Sequence, residues 1–468
     1  MRYRRLPPTV LLLALAVLAG CGGGSSDDGL VVGAGEVTRP GAELVLEVPD
    51  GAFGASSAYL ASVYDRTLAE PACQDPADQR VPFLVAETCL EFHDRYLEPD
   101  RLPPDVADIE TPAGYLRALS PEDRFAVYYT AESFSGTVEP GITGERAYIG
   151  IVLTLAEGDT VPSVEAVLPY TRGWWDGLRA GDRILGIRDP ATDVETSLDG
   201  LSLDQARALL PHTEGAETIL VLDRDGAAVE TATAAETHIG RILDGDVAYL
   251  GVRKFTTETA QRVWDDYQEI VRTAGPVSGV VLDLRQDGGG SLDGAVRLAD
   301  LLAGGALDGQ EMFHMVDAYD LRTSYRFGEW FSKNVEPVPL AVLVDAGSAS
   351  ASEIVAGALR YSGAVTLVGE RTFGKGVAQD VAVLADGSAL FVPSLRILLP
   401  DGSSWHDVGL TPDREVAAPD GGATPDNDPQ LQVALQVLRS NSAAGVARSA
   451  TSPAEHPEGT ARRAAGLF

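Results

Sequence analysis

Three serines alternate with alanines in "GSASASE" (347–353), between an apolar run "LAVLVDA" (340–346) and a helix-like "IVAGALRYSG" (354–363). A hydroxyl at a helix N-terminus is placed to attack a carbonyl, because backbone N–H groups there can stabilise the oxyanion that forms. The same residues fit a plainer role, since Ser350-x-x-Glu353 has the spacing of a capping box. A nucleophilic serine also needs a base. The chain has six histidines, none in a Gly-x-Ser-x-Gly context and none in HExxH. Only His406, in "SSWHDVG", lies near a glycine-rich loop of the same half of the chain. The other candidate is Lys375 in "GERTFGKGVAQDV" (369–381), held between two glycines just after Phe373. A lysine acts as a base only when neutral, which burial or a nearby positive charge can bring about. Phe373 and Val377 are expected to give it a dry wall.

The bulk composition narrows the partners. The 468 residues carry 36 Lys+Arg against 69 Asp+Glu, a net charge of −33. Such a surface repels phosphate backbones, so no nucleic-acid partner is expected. The leader "MRYRRLPPTVLLLALAVLAGC" has a basic start, an apolar stretch from Val10 to Leu18 too short to span a bilayer comfortably, and Leu18-Ala19-Gly20-Cys21. It resembles a bacterial lipoprotein signal. The resemblance implies cleavage before Cys21, acylation of that cysteine, and an extracytoplasmic protein anchored to a membrane, on the periplasmic face. Gly22 after the cysteine points toward the outer membrane. In an oxidising compartment Cys73 and Cys89 are candidates for a disulfide, with two buried thiols as the alternative.

Periodicity divides the body. Residues 45–142 read mainly as helix. Residues 143–235 change to short strands with glycine punctuation and one helix, "SLDQARALL" (202–210). Residues 236–439 alternate strand and helix, including a helix at 259–274, a strand at 279–286 and a β-hairpin or arch at 386–405. This predicts an α/β core with parallel crossovers. The tail, 440–468, is expected to be mobile, as is a tether at 21–44 after the signal at 1–20. "WWDGLRAGDRILGI" (174–187) resembles the Gly-Leu…Gly-Asp block of PDZ domains, and "YIGI" (148–151) resembles their carboxylate-binding loop. The resemblance implies that Tyr148, Ile149, Gly150 and Ile151 receive a peptide C-terminus by strand addition. Trp174 and Trp175 are larger than the residues usual there and are expected to pack.

"GVVLDLRQDGGGSLDGAV", "GSASASEIVAGAL" and "GERTFGKGVAQ", in this order behind a PDZ-like block, resemble the carboxyl-terminal processing peptidases. The resemblance covers roughly residues 115–438. It implies a ClpP/crotonase-like α/β core, an inserted PDZ-like domain and an N-terminal helical region. It further implies Ser350 as nucleophile, Lys375 as base and Gln379 as the residue orienting the lysine. The oxyanion would lie on the N–H groups of Ala351 and Gly289, with Gly290 as the alternative. Ser348 and Ser352 would be structural. Asp287 and Gly288 replace the usual Asn-Pro, and Asp287 is expected to point outward, because an inward charge would oppose an oxyanion. No cofactor or metal is implied. The partners would be proteins or peptides with free, apolar C-termini. Two rival readings are a non-catalytic tail-binding scaffold and a small-molecule esterase or amidase.

Overall fold

The computed structural model describes residues 31–33, 36–39, 42–48, 57–75, 77, 80–119, 123–138, 147–156, 158–303, 305–419, 424 and 427–451. The signal sequence and Cys21 lie outside them. The chain forms two compact units, one from residues up to Leu90 with Pro103–Tyr115, the other from Glu91–Leu102 and Leu116 onward.

In the first unit four three-residue strands, β1 (Val31–Gly33), β2 (Glu36–Thr38), β3 (Val45–Glu47) and β4 (Arg80–Pro82), form a sheet in that order. β1 and β2 lie in the stretch 21–44 expected to be a flexible tether, and β3 and β4 in the stretch expected to be mainly helix; strands so short show no alternation in the sequence. Helices α1 (Ser57–Ala69), α2 (Phe83–Arg95) and α3 (Pro112–Leu119) belong to the N-terminal stretch of chain. Cys73 and Cys89, both fully buried, form a disulfide.

The second unit holds a small β-domain and a larger core. β5 (Val127–Tyr129) precedes the domain. The domain's sheet runs β11 (Ala227–Ala234), β10 (Glu217–Arg224), β8 (Arg183–Arg188), β7 (Ser163–Val167), β6 (Ile151–Thr154), with β9 (Glu195–Ser197) on β8. Helix α4 (Leu203–Leu209) starts at a full capping box of Ser202 and Gln205, so its start is written in the sequence.

The core sheet has the order β12 (His238–Leu243), β13 (Val247–Val252), β14 (Gly279–Asp283), β17 (Leu340–Val344), β18 (Val365–Gly369), β21 (Arg414–Glu415). All its pairs are parallel except β12–β13. Strands β13, β14 and β17 are buried at every residue, because helices cover both faces. Val280, Leu282 and Val342 pack with α5 (Thr259–Ala274), α6 (Leu292–Ala303) and α7 (Ala351–Tyr361). Val281, Ala341 and Leu343, pointing the other way, pack with α8 (Pro429–Thr451). This helix runs beyond Ser440, so the expected mobile tail begins as helix. A second sheet orders β16 (Arg322–Arg326), β15 (Glu311–Val316), β20 (Ala389–Leu398) and β19 (Val377–Val383), with β5 also on β20. The stretch expected to make a hairpin at 386–405 instead contributes one long strand, whose hairpin partner is the preceding β19. Its apolar residues are spread over ten positions without a central turn.

Candidate active site

Parallel sheets present their chemistry at the carboxyl ends of the strands. Here the loops after β14, β17 and β18 carry Gly289, Ser350 and Lys375. Ser350 sits at the start of α7 with φ 56° and ψ −112°. A non-glycine residue there is strained by roughly 1–3 kcal/mol, which persists only where surrounding bonds enforce it. Glu353 supplies them. Its fully buried carboxylate accepts the Ser350 N–H at 2.9 Å and the Lys375 N–H at 2.8 Å on one oxygen. Its other oxygen accepts the Gly374 N–H at 2.8 Å and the Thr372 hydroxyl at 2.5 Å. One carboxylate thus joins the serine turn to the lysine loop. The capping spacing was legible in the sequence, but this second pair of donors was not. The flanking serines are tied elsewhere. Ser348 Oγ donates to the Leu284 carbonyl at 2.8 Å, and Ser352 Oγ to the Asp287 carbonyl at 3.0 Å. Both bonds fasten the turn to the end of β14.

Lys375 Nζ donates to Gln379 Oε1, and Gln379 Nε2 donates to the Phe125 carbonyl. The carbonyl fixes the amide so that its oxygen faces the lysine. Among the described residues, Lys375 Nζ makes no hydrogen bond to Ser350 Oγ. Burial lowers the Lys375 pKa, and nearby Lys254 lowers it further, against the pull of Glu353. These are the conditions a neutral lysine base needs. The wall differs from expectation. Phe373 is 45% exposed, while Phe125 puts its ring 5.7 Å from Nζ and packs with Leu97 and Val377. Phe125 is held by Asp123, which accepts the N–H groups of Phe125 and Ala126 at 2.8 and 2.9 Å and the Tyr96 hydroxyl at 2.5 Å. A residue 254 positions from Gln379 leaves no local signal. His406 also packs on Phe125, ring centroids 5.3 Å apart, with its Nδ1 buried and unpartnered.

The glycine turn contains the main correction. Asp287 does not point outward but is fully buried, and its Oδ1 accepts the Gly289 N–H at 2.8 Å. Gly289 still lies against the serine. A Cβ added there would stand 2.9 Å from Ser350 Cβ and 2.9 Å from the Ala351 nitrogen. Only glycine allows that approach, and its φ of 93° requires glycine as well. Ala351, the first residue of α7, is buried. The alternative, Gly290, packs on the Phe255 carbonyl. Upstream, Arg285 is fully buried and bonds Asp283 at 2.7 Å, Asp428 at 2.8 Å and Gln430 at 2.9 Å. An Asp and an Arg inside the apolar run "GVVLDLRQ" could have signalled this pair, because buried charges are paired.

In the β-domain, Tyr148 is half exposed and bridges to Glu236, Ile149 is buried, and Ile151 opens β6. Gly150, at φ 89°, lies so close to Thr171 that a Cβ would clash at 2.1 Å. Trp174 and Trp175 pack as expected: Tyr170, Trp174, Trp175 and Tyr249 form a run with centroids 4.8–5.3 Å apart.

Residues 246–416 match the description "Peptidase family S41". The C-terminal processing peptidase of the Tetradesmus obliquus chloroplast is 30% identical over 295 residues, 59% of this chain and 61% of its own length. The chain thus aligns with about three fifths of that relative. The carboxyl-terminal-processing protease of Synechocystis sp. is 29% identical over 320 residues, 65% of this chain and 71% of its own. A solved structure of a photosystem II D1 C-terminal processing protease is 24% identical, with a TM-score of 0.44, covering 71% of this chain and 92% of that one. The match to peptidase family S41 takes in the core sheet from β13 onward and all three loops that carry Gly289, Ser350 and Lys375, and leaves β12 outside it.

Proposed function

We propose that the protein is a serine endopeptidase that cleaves protein tails by a Ser350–Lys375 mechanism. The observation that carries this is the Glu353 carboxylate, which holds a strained Ser350 and the backbone of a half-buried Lys375 on the same oxygen. A structural cap would need only the first of these bonds. Neutral Lys375 takes the proton of the Ser350 hydroxyl, and Oγ attacks the peptide carbonyl. The oxyanion is held by the N–H groups of Ala351 and Gly289. Each such donor contributes about 3–4 kcal/mol in other serine proteases. The lysine, now charged, gives its proton to the departing amine. Water then hydrolyses the acyl-enzyme, with Lys375 again the base, and Gln379 holds the lysine throughout. The β-domain receives the substrate's terminal carboxylate at Tyr148–Ile151, and an acylated Cys21 anchors the chain outside the cytoplasm.

The test is degradation of an unfolded model protein bearing an apolar C-terminal tail, by the purified chain and by Ser350→Ala and Lys375→Ala. Cleavage by the unaltered chain and its loss in both variants is the expected result. Binding without cleavage in the unaltered chain would give the scaffold reading the lead. Ester hydrolysis without peptide cleavage would favour the esterase.

A further inference from the structure

Asp287 stands where the resemblance leads one to expect asparagine, and it faces inward. Its Oδ1 takes the Gly289 N–H, the donor that the proposed mechanism assigns to the oxyanion. Its Oδ2 is buried with no hydrogen-bond partner. Its own carbonyl accepts the Ala349 N–H and the Ser352 hydroxyl, each at 3.0 Å, so the carboxylate is fixed to the nucleophile's turn. The charged groups facing it are Arg253 and Lys254, which follow β13. From α7 and its loop, the groups that bond to it are the uncharged Ser352 and Ala349. A buried carboxylate with one orphan oxygen favours its neutral form. Burial pushes Asp287 up to about 7, with the Gly289 N–H, the Ser352 hydroxyl and the two cations pulling the other way.

We propose that Asp287 is a positioning residue that controls whether the Gly289 N–H is available to the oxyanion. Protonated, its Oδ1 is a weak acceptor and the N–H can turn to the substrate oxygen. Ionised, it holds the N–H and places a negative charge beside the oxyanion as it forms. Lys375 acts in the opposite sense, since it must lose its proton to work. Activity therefore passes through a maximum with pH, its acid limb and its alkaline limb set jointly by Lys375 and Asp287.

This rests on the Ser350 reading above, so the experiment separates the two. The pH dependence of kcat and KM is measured on a tail peptide from pH 5.5 to 10, for the full chain and for Asp287→Asn and Ser350→Ala, with melting temperatures alongside. Asparagine keeps the acceptor and removes the charge. The unaltered chain is expected to lose roughly 10- to 100-fold in kcat on the alkaline side, less than the 10²–10³ of a deleted oxyanion donor. Asp287→Asn should hold its plateau there, with KM little changed and melting no lower. Should the asparagine variant fold poorly, Asp287→Ala removes the same titration and should also lose the alkaline fall. An alkaline fall in Asp287→Asn at the same pH as in the unaltered chain overturns this role alone. Full activity in Ser350→Ala overturns the nucleophile reading and this role with it.

Discussion

Two glycine turns in this chain each bury an aspartate, and they finish it differently. In the β-domain turn at 177–182, Asp182 accepts Arg224 Nε at 2.6 Å, Arg224 Nη2 at 2.7 Å and the Arg179 N–H at 2.9 Å. In the core turn at 286–290, Asp287 is as deeply buried but accepts one N–H, and its other oxygen has nothing. A buried carboxylate whose oxygens are met by donors and an arginine is fully partnered and structural. One left half-partnered is costly to bury as an anion, and that cost persists where the surrounding turn is constrained by something else. Here the constraint is the Ser350 turn, fastened to the Asp287 carbonyl.

The largest effect should come from breaking the satisfied turn. Arg224→Ala leaves Asp182 buried without its cation and is expected to lower stability by about 3–5 kcal/mol, read by denaturant unfolding. If it costs under 1 kcal/mol, the two turns are not the opposites described here. A second fully partnered charge is His238, between Asp266 of α5 at 2.7 Å and Glu214 of the β-domain at 3.3 Å. Burial works against its charge, but these carboxylates raise its pKa to about 9. Because the folded pKa lies above the unfolded one, its contribution is complete below about pH 6.5 and is lost as pH rises through about 9. It amounts to about 3 kcal/mol, present in the unaltered chain and absent from His238→Asn in melting curves taken across that range.

Glu353→Gln should follow. An amide can offer only one acceptor atom to the four donors, and its NH₂ would face N–H groups. A fall in kcat of roughly 100-fold is expected in steady-state assays, with KM less affected. Unchanged kcat would mean that the shared carboxylate does not position the chemistry. The last effect, on the stability of the half-partnered turn, has the opposite sign. Asp287→Asn is expected to raise stability at neutral pH, by a few kcal/mol at most, since the unfolded carboxyl ionises at about 4 and the folded one only at about 7. A loss as large as that of Arg224→Ala would erase the contrast between the turns.

Much of the architecture was legible in local pattern. The helix at 259–274 follows its apolar spacing residue for residue, and the serine, lysine and glycine blocks announce themselves by composition and order. What escaped depends on long-range contact or on side-chain direction. Phe125 reaches Gln379 across 254 positions, and Asp428 reaches Arg285 across 143. No periodicity encodes either. Asp287 was expected outward from the needs of an oxyanion. Its direction is instead set by a local bond to the N–H two residues on, a habit of aspartate in turns. The sheet of the first unit was missed because its strands are three residues long.

The central claim is that Ser350, and neither of its neighbours, is the activated hydroxyl. A serine-directed fluorophosphonate, followed by intact-mass measurement and peptide mapping, tests it most directly. One adduct on Ser350 that disappears in Lys375→Ala is the predicted result. Labelling of Ser348 or Ser352, or labelling of Ser350 undiminished by the loss of Lys375, would contradict it.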